Sequence, residues 1–201
     1  MYKMKKWKTV ITIIALSTSV IVGSTVGLAY NNSGKTHIDN NESVSPITSS
    51  LEEEFWNVDL VIKGTVISQE DSYKKDSGVA TKQSFPLDVT PATVKVDKVL
   101  YGSIDSSLLT YLQHGISTDK EASKKFVKQG EEVVLILTKT TDGKYWSYNF
   151  DDGQWKIKDG KVNSDATSNR LLKYKNYTSD KFINEISEIA KNKKKNKEYK
   201  Q

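Results

Sequence analysis

Aromatic side chains are concentrated in one stretch around residue 150, and they are the first candidates for binding chemistry. Tyr145, Trp146 and Tyr148 lie within four residues of one another, and Trp155 follows a short Asp-Asp-Gly segment. Exposed aromatic rings offer a large contact area at small entropic cost, which suits sugar rings or extended peptides. The alternative is that Trp146, Phe150 and Trp155 fill the core of the domain.

His114 is the best single candidate for acid–base chemistry. It lies between Gln113 and Gly115 at the end of a predicted strand, and the only other histidine is His37. The chain has no cysteine, so a metal site would depend on carboxylates, but residues 151–153 lack the spacing of a calcium loop and indicate a turn. No nucleophile motif, paired-acid motif or phosphate-binding glycine loop is present. We therefore expect no catalytic residue, no metal ion and no cofactor.

The C-terminal tail, residues 191–201, is a candidate for binding an anionic surface. It contains six lysines and one glutamate, the lysines being Lys191, Lys193, Lys194, Lys195, Lys197 and Lys200. Near a charged surface each lysine contributes about 1 kcal/mol, so anionic cell-wall polymer or lipid head groups are the expected partners. The alternative is a solvated terminus that only aids solubility.

The net charge of +5 is concentrated at the two ends of the chain. The first 29 residues contribute +4 and the last eleven contribute +5, so the body between them carries −4. A basic face for nucleic acid is therefore not expected.

The N-terminal segment has the pattern of an export signal. Four lysines within the first eight residues precede an uncharged run over residues 9–30, which is typical of a translocon substrate. Small residues at Gly27 and Ala29 favour cleavage before Tyr30, so residues 1–29 are predicted to be a signal peptide. An uncleaved membrane anchor is the alternative, because 22 uncharged residues can span a bilayer. The predicted location is outside the bacterial cytoplasmic membrane, either secreted or at the cell surface, and the lack of cysteine excludes a lipid-modified anchor.

A polar spacer, residues 30–48, is predicted to precede a single domain at residues 49–190. Ser49 and Glu52 form a capping-box pattern for a short helix. Ser179 is predicted to cap an amphipathic C-terminal helix, whose apolar stripe is Phe182, Ile183, Ile186, Ile189 and Ala190. Residues 70–87 are predicted to be a polar loop. Apolar β-branched runs predict strands at residues 58–68, 93–100, 108–112, 133–137, 144–150 and 154–158.

Three Asp-Gly pairs at residues 142–143, 152–153 and 159–160 predict hairpin turns between successive strands. Gly64 lies inside the first strand and predicts a bulge or a tight bend there. The expected fold is mainly β: a small antiparallel barrel of five to seven strands with a short N-terminal helix and a C-terminal amphipathic helix.

Four segments carry a resemblance to a known class of domain: residues 59–66, 92–102, 126–137 and 155–162. Together they resemble cysteine-free bacterial relatives of netrin-like and tissue-inhibitor-like domains, which are OB-type barrels. The resemblance covers about residues 55–190 and implies an OB-like barrel with a helix packed on it. In the animal inhibitors an N-terminal cysteine approaches the protease metal. This chain has no cysteine, so neither metalloprotease inhibition nor any functional residue is carried over.

These observations predict a non-catalytic extracytoplasmic binding or interaction module, held at the cell envelope by its basic tail. Its partners would be the anionic envelope material and an unidentified protein. One alternative is a small envelope-acting hydrolase or enzyme inhibitor with His114 as the candidate residue. Another is a membrane-tethered structural protein, which requires residues 9–30 to stay attached.

Overall fold

The computed structural model describes residues 50–76 and 86–194, all of which belong to the compact unit Thr48–Gln201. The predicted export segment and spacer, together with Lys195, Lys197 and Lys200, lie outside the described residues. The domain boundaries at 49 and 190 therefore stay predictions. Within the described ranges, no helix combines the length and apolar character that a membrane crossing requires.

In the described part of the chain the strands form one mixed sheet of eight members, which confirms the mainly β prediction but not the predicted strand count. They are β1 (Leu60–Gln69), β2 (Tyr73–Asp76), β3 (Pro86–Tyr101), β4 (Leu108–His114), β5 (Glu132–Lys139), β6 (Tyr145–Ser147), β7 (Gln154–Lys158) and β8 (Lys161–Asn163). Five of them close into a ring in the order β1-β3-β4-β6-β5, because β5 also pairs with β1. The sheet is not wholly antiparallel as predicted: β4 and β6 run parallel, with Leu112 aligned to Trp146.

Four α-helices and two 3-10 helices accompany the sheet within the described residues. They are α1 (Leu51–Glu54), α2 (Lys120–Lys125), α3 (Asn169–Leu172) and α4 (Ser179–Lys191), with 3-10 helices at Phe55–Asn57 and Phe150–Gly153. The predicted N-terminal and C-terminal helices are thus confirmed. The capping box is one residue later than predicted: Ser50 Oγ accepts from Glu53 N, and the Glu53 carboxylate accepts from Ser50 N. Ser50 and Glu53 have the same spacing as the predicted capping-box pair, Ser49 and Glu52, shifted by one residue. The C-terminal helix begins one residue earlier than predicted, with Thr178 rather than Ser179 at its N-cap.

Two of the three Asp-Gly pairs lie in hairpin turns. The pair at 159–160 joins β7 to β8 with φ of 51° and 71°, and the pair at 142–143 lies between β5 and β6. The pair at 152–153 was predicted wrongly: it belongs to a 3-10 helix, and β7 pairs with β5 instead of with β6. The predicted strand at 144–150 correspondingly ends at Ser147, because left-handed backbone follows at Asn149 and Phe150.

The region predicted as a polar loop over residues 70–87 contains β2 and leads into a 16-residue strand, β3. Pro86 and Pro91 interrupt the strand pattern in the sequence, which explains why only the second half of β3 was predicted. The bend predicted at Gly64 is confirmed by a shift of the β1–β3 register there. A Cβ at this position would lie 2.5 Å from the Lys95 carbonyl oxygen, so the close approach of β3 requires glycine.

The buried apolar residues form two cores. One core lies inside the ring and includes Leu109, Tyr111, Leu135 and Tyr145. The other joins ring residues such as Val134 and Ile136 to α1 and α4, and it contains the predicted apolar stripe of α4: Phe182, Ile183, Ile186 and Ala190, with Ile189 partly buried against it. The ring therefore has a filled interior and one face covered by helices.

Candidate functional site

The four aromatic residues predicted to bind ligand do not form an exposed platform. Tyr145, Tyr148 and Trp155 are buried, and only Trp146 is partly exposed. The alternative core assignment holds for Trp155 but not for Phe150, which is 64% exposed. The Trp155 indole donates to the Asp152 carbonyl oxygen at 2.9 Å, so its polar group is satisfied inside the domain. A ligand-binding role for these residues stays a prediction, and of the four side chains Trp146 is the one exposed enough to contact a ligand.

Trp146 and His114 are brought together by the parallel pairing of β4 and β6. Leu112 is aligned with Trp146, and His114 follows two residues later on the same face of β4. The two rings stack with centroids 4.5 Å apart and planes 14° apart. Burial lowers the pKa of His114 from its ordinary value of 6.5, with Asp151 opposing that shift. The imidazole is therefore favoured in its neutral form at pH 7.

Phe150 contacts the same histidine, with ring centroids 4.7 Å apart and planes tilted by 48°. Its φ of 58° follows a φ of 43° at Asn149, so two successive non-glycine residues have left-handed backbone. Such a conformation costs roughly 1–2 kcal/mol for a residue with a side chain, and strain of this kind is concentrated at functional sites. The tolerance of asparagine for positive φ is the one local signal for this turn in the sequence.

Asp152 fixes the turn from within the domain. Its carboxylate is fully buried, and Oδ1 accepts from the backbone N–H of Thr167 at 2.6 Å and of Ser168 at 3.0 Å. Oδ2 accepts from Asn149 Nδ2 at 2.5 Å. The sequence pattern was interpreted as an exposed turn because Asp-Gly pairs usually form one. The structure shows instead a buried anchor that holds the strained segment, and hence Phe150, in place.

A cleft of about 520 Å³ opens beside these rings, between the end of β4, helix α2 and the 3-10 helix. Its lining includes His114, Phe150, Ala122 and Phe126 as apolar or aromatic walls, and Tyr111, Gln113, Ser147 and Gln154 as polar groups. Glu121, Lys125 and Asp151 supply charge, and Lys125 Nζ lies 2.6 Å from Asp151 Oδ2. This ion pair raises the pKa of Lys125. Its two charges offset each other at the cleft.

The polar groups of the cleft are linked by hydrogen bonds. The Tyr111 hydroxyl donates to Gln154 Oε1 at 2.9 Å, and Gln154 Nε2 donates to the Lys125 carbonyl oxygen at 2.6 Å. Burial raises the pKa of the Tyr111 hydroxyl, so it stays protonated. These side chains are therefore held in defined positions, while the amide and the hydroxyl keep further donor and acceptor capacity.

The surroundings of the His114 ring are aromatic. Within residues 50–76 and 86–194, no side chain hydrogen-bonds to this ring, which contacts the Trp146 and Phe150 rings. A histidine acting as a general base is usually oriented by such a partner. The same described ranges contain no group of three or more histidine, aspartate or glutamate side chains placed to hold a metal ion.

Three of the predicted tail lysines contact the folded domain. Lys191 Nζ lies 2.9 Å from Glu188, and Lys194 Nζ lies 3.4 Å from Glu53. Lys193 Nζ donates to the carbonyl oxygen of Val58 at 2.5 Å. The Lys191 pair lies within α4, whereas Lys193 and Lys194 join the end of α4 to the N-terminal helical region. An envelope-binding role for them stays a prediction, as it does for the three lysines outside the described residues.

No protein-family model matches the chain, and no curated protein matches its sequence at a significant level.

Proposed function

We propose that this protein is a non-catalytic binding module of the OB type, exported from a bacterial cell, and that it recognises cell-envelope material through the His114 cleft. The order of the five-strand ring supports the OB assignment. Counted along the chain, the ring strands are β1, β3, β4, β5 and β6. The third and fifth of these, β4 and β6, are the parallel pair, and α2 lies between the third and fourth, β4 and β5. This order and helix position are typical of OB-type Greek-key barrels.

The observation that carries the binding proposal is the exposed Phe150 on left-handed backbone at the mouth of the cleft. Exposing a phenylalanine ring forfeits burial of its apolar surface, and the turn adds backbone strain. The buried Asp152 anchor holds both features in place. A site that keeps an aromatic ring outward at this cost is typical of a ligand-contact surface.

The basic tail would add a second, electrostatic attachment to the envelope. Since Lys191, Lys193 and Lys194 already contact the domain, this attachment depends mainly on Lys195, Lys197 and Lys200. Electrostatic attachment weakens with salt because counterions screen the charges, whereas aromatic contact in a cleft depends little on salt. The two contributions are therefore separable by ionic strength.

Co-sedimentation of the purified full-length chain with bacterial cell walls tests this proposal. We expect the chain to pellet with the walls at low salt and a reduced fraction to remain bound at moderate salt. Replacing Lys195, Lys197 and Lys200 by glutamine should remove the salt-sensitive part, and Phe150→Ala should weaken the part that remains. Leu108→Ala is the matched control, because Leu108 is exposed at the opposite end of β4. Failure of the unaltered chain to pellet at low salt would contradict envelope binding.

A further inference from the structure

We propose that the His114 cleft takes a neutral saccharide, with one sugar ring packed against Phe150 and its hydroxyls bonded to the polar floor around Gln154. This inference rests on the proposed binding function and names the class of ligand for the same site. A volume of about 520 Å³ lies within the usual range for small-molecule pockets, roughly 300–1,000 Å³.

The aromatic wall fits the apolar face of a sugar ring. Phe150 presents most of its surface to solvent, and His114 behind it is backed by the Trp146 ring at 4.5 Å. The imidazole is favoured in its neutral state, so the wall carries no fixed charge at neutral pH. Flat, uncharged aromatic surface suits the C–H groups of a pyranose face.

The polar floor fits the hydroxyls of such a ring. Each sugar hydroxyl both donates and accepts, and it is best matched by groups that do the same. Gln154 offers a partly exposed amide, which the buried Tyr111 hydroxyl holds through a hydrogen bond of 2.9 Å. Ser147 adds a second hydroxyl to the lining. Neighbouring bonds hold Gln154 in place before any ligand arrives, so the entropic cost of ordering it on binding is small.

An extended peptide fits the site less well. Peptides bound along sheets gain affinity from backbone hydrogen bonds to a free strand edge. At this cleft β4 is paired with β3 along its whole length, but with β6 only at Tyr111 and Leu112. The stretch of β4 without a β6 partner here is two residues long, Gln113 and His114, so a peptide would gain few backbone hydrogen bonds.

A strongly anionic ligand is disfavoured by the charge arrangement. The one cation in the lining, Lys125, is already paired with Asp151 at 2.6 Å, and Glu121 adds a further negative charge. A phosphate or carboxylate entering the cleft would have to compete with that ion pair. The anionic wall polymer proposed to attract the tail is therefore a different ligand from the one proposed here.

Binding of three uncharged probes by the purified full-length chain tests the proposal: tri-N-acetylchitotriose, maltotriose and N-acetyl-trialanine amide. Affinities are measured by isothermal titration calorimetry at moderate salt, where attraction to the tail is screened. We expect at least one trisaccharide to bind and the peptide not to bind. Phe150→Ala should weaken saccharide binding about fivefold to tenfold, the usual value of one aromatic contact. Leu108→Ala should leave it unchanged.

The outcomes separate this inference from the proposed function. If neither trisaccharide binds, or if either binds equally well to the Phe150→Ala variant, the saccharide assignment is overturned. If the peptide binds and depends on Phe150, the ligand class is overturned while the cleft remains a binding site. The cell-wall sedimentation assay is a separate experiment. If the chain still pellets with cell walls, the proposal of envelope binding stands even when the saccharide assignment fails.

Discussion

Replacing the buried Asp152 by alanine should be among the most destabilising single changes in this domain. The carboxylate accepts two backbone hydrogen bonds, from Thr167 and Ser168, and one side-chain hydrogen bond from Asn149. Alanine removes all three acceptor contacts and leaves those donors without a partner. It also releases the left-handed turn that holds Phe150 at the mouth of the cleft.

The magnitude follows from the two backbone donors. A hydrogen bond to a charged group contributes about 1.5–3 kcal/mol, so losing the two partly buried bonds from Thr167 and Ser168 predicts a loss of roughly 3–6 kcal/mol in the free energy of unfolding. Asp152→Asn keeps one oxygen of similar shape, which can still accept from Thr167 and Ser168, and it should cost about 1–2 kcal/mol. The free energy of unfolding should therefore increase from Asp152→Ala to Asp152→Asn to wild type.

Urea unfolding followed by tryptophan fluorescence measures these differences, because the fully buried Trp155 reports on the same region. Asp151→Asn is the matched control. It removes the neighbouring carboxylate and its ion pair with Lys125, whose side chain is 53% exposed. A surface pair of this kind is worth about 0–1 kcal/mol. The reasoning is refuted if Asp152→Ala costs less than about 1 kcal/mol, or if Asp151→Asn costs as much.

Three further predictions concern the tail, the histidine and one glycine. Lys193→Ala should lower the free energy of unfolding by about 1 kcal/mol in urea, because its ammonium bonds to backbone carbonyls, while Lys195→Ala should not. An NMR titration should place the His114 pKa below 6.5. The contribution of this group to stability is therefore present above pH 6.5 and is lost as the pH falls towards that pKa. Phe150→Ala should raise the His114 pKa again by exposing the imidazole, and an unchanged pKa would contradict burial by Phe150. Gly153→Ala should cost about 1–3 kcal/mol in thermal or urea unfolding, because its Cβ would press on neighbouring backbone, and a neutral effect would refute that crowding.

The elements with strong local signals were predictable from the sequence. Residues 133–137 form a short apolar run and lie in β5, and the Asp-Gly pair at 159–160 forms the expected two-residue turn. The apolar spacing from Phe182 to Ala190 gave the C-terminal helix and its buried face. In each case the pattern that determines the element lies within the element itself.

The site depended on information that lies elsewhere in the chain. His114 and Trp146 are 32 residues apart, and only the parallel pairing of β4 and β6 brings their rings together. No local pattern encodes that pairing. The residues next to Asp152 in the sequence are likewise those of an ordinary surface turn. Its burial follows from the approach of Thr167 and Ser168, which are distant in the sequence. Candidate residues could therefore be named from the sequence, but their grouping could not.

The most direct test of the binding account is an amide NMR titration of the purified chain with cell-wall fragments solubilised by a muramidase. The account predicts chemical-shift changes centred on the cleft, at the amides of His114, Lys125, Phe150 and Gln154. These changes should persist when salt is raised, and in the Phe150→Ala variant they should need about fivefold to tenfold more fragment to reach the same size. Changes confined to the C-terminal lysines, or the absence of any change at saturating fragment, would contradict the claim that this cleft binds envelope material.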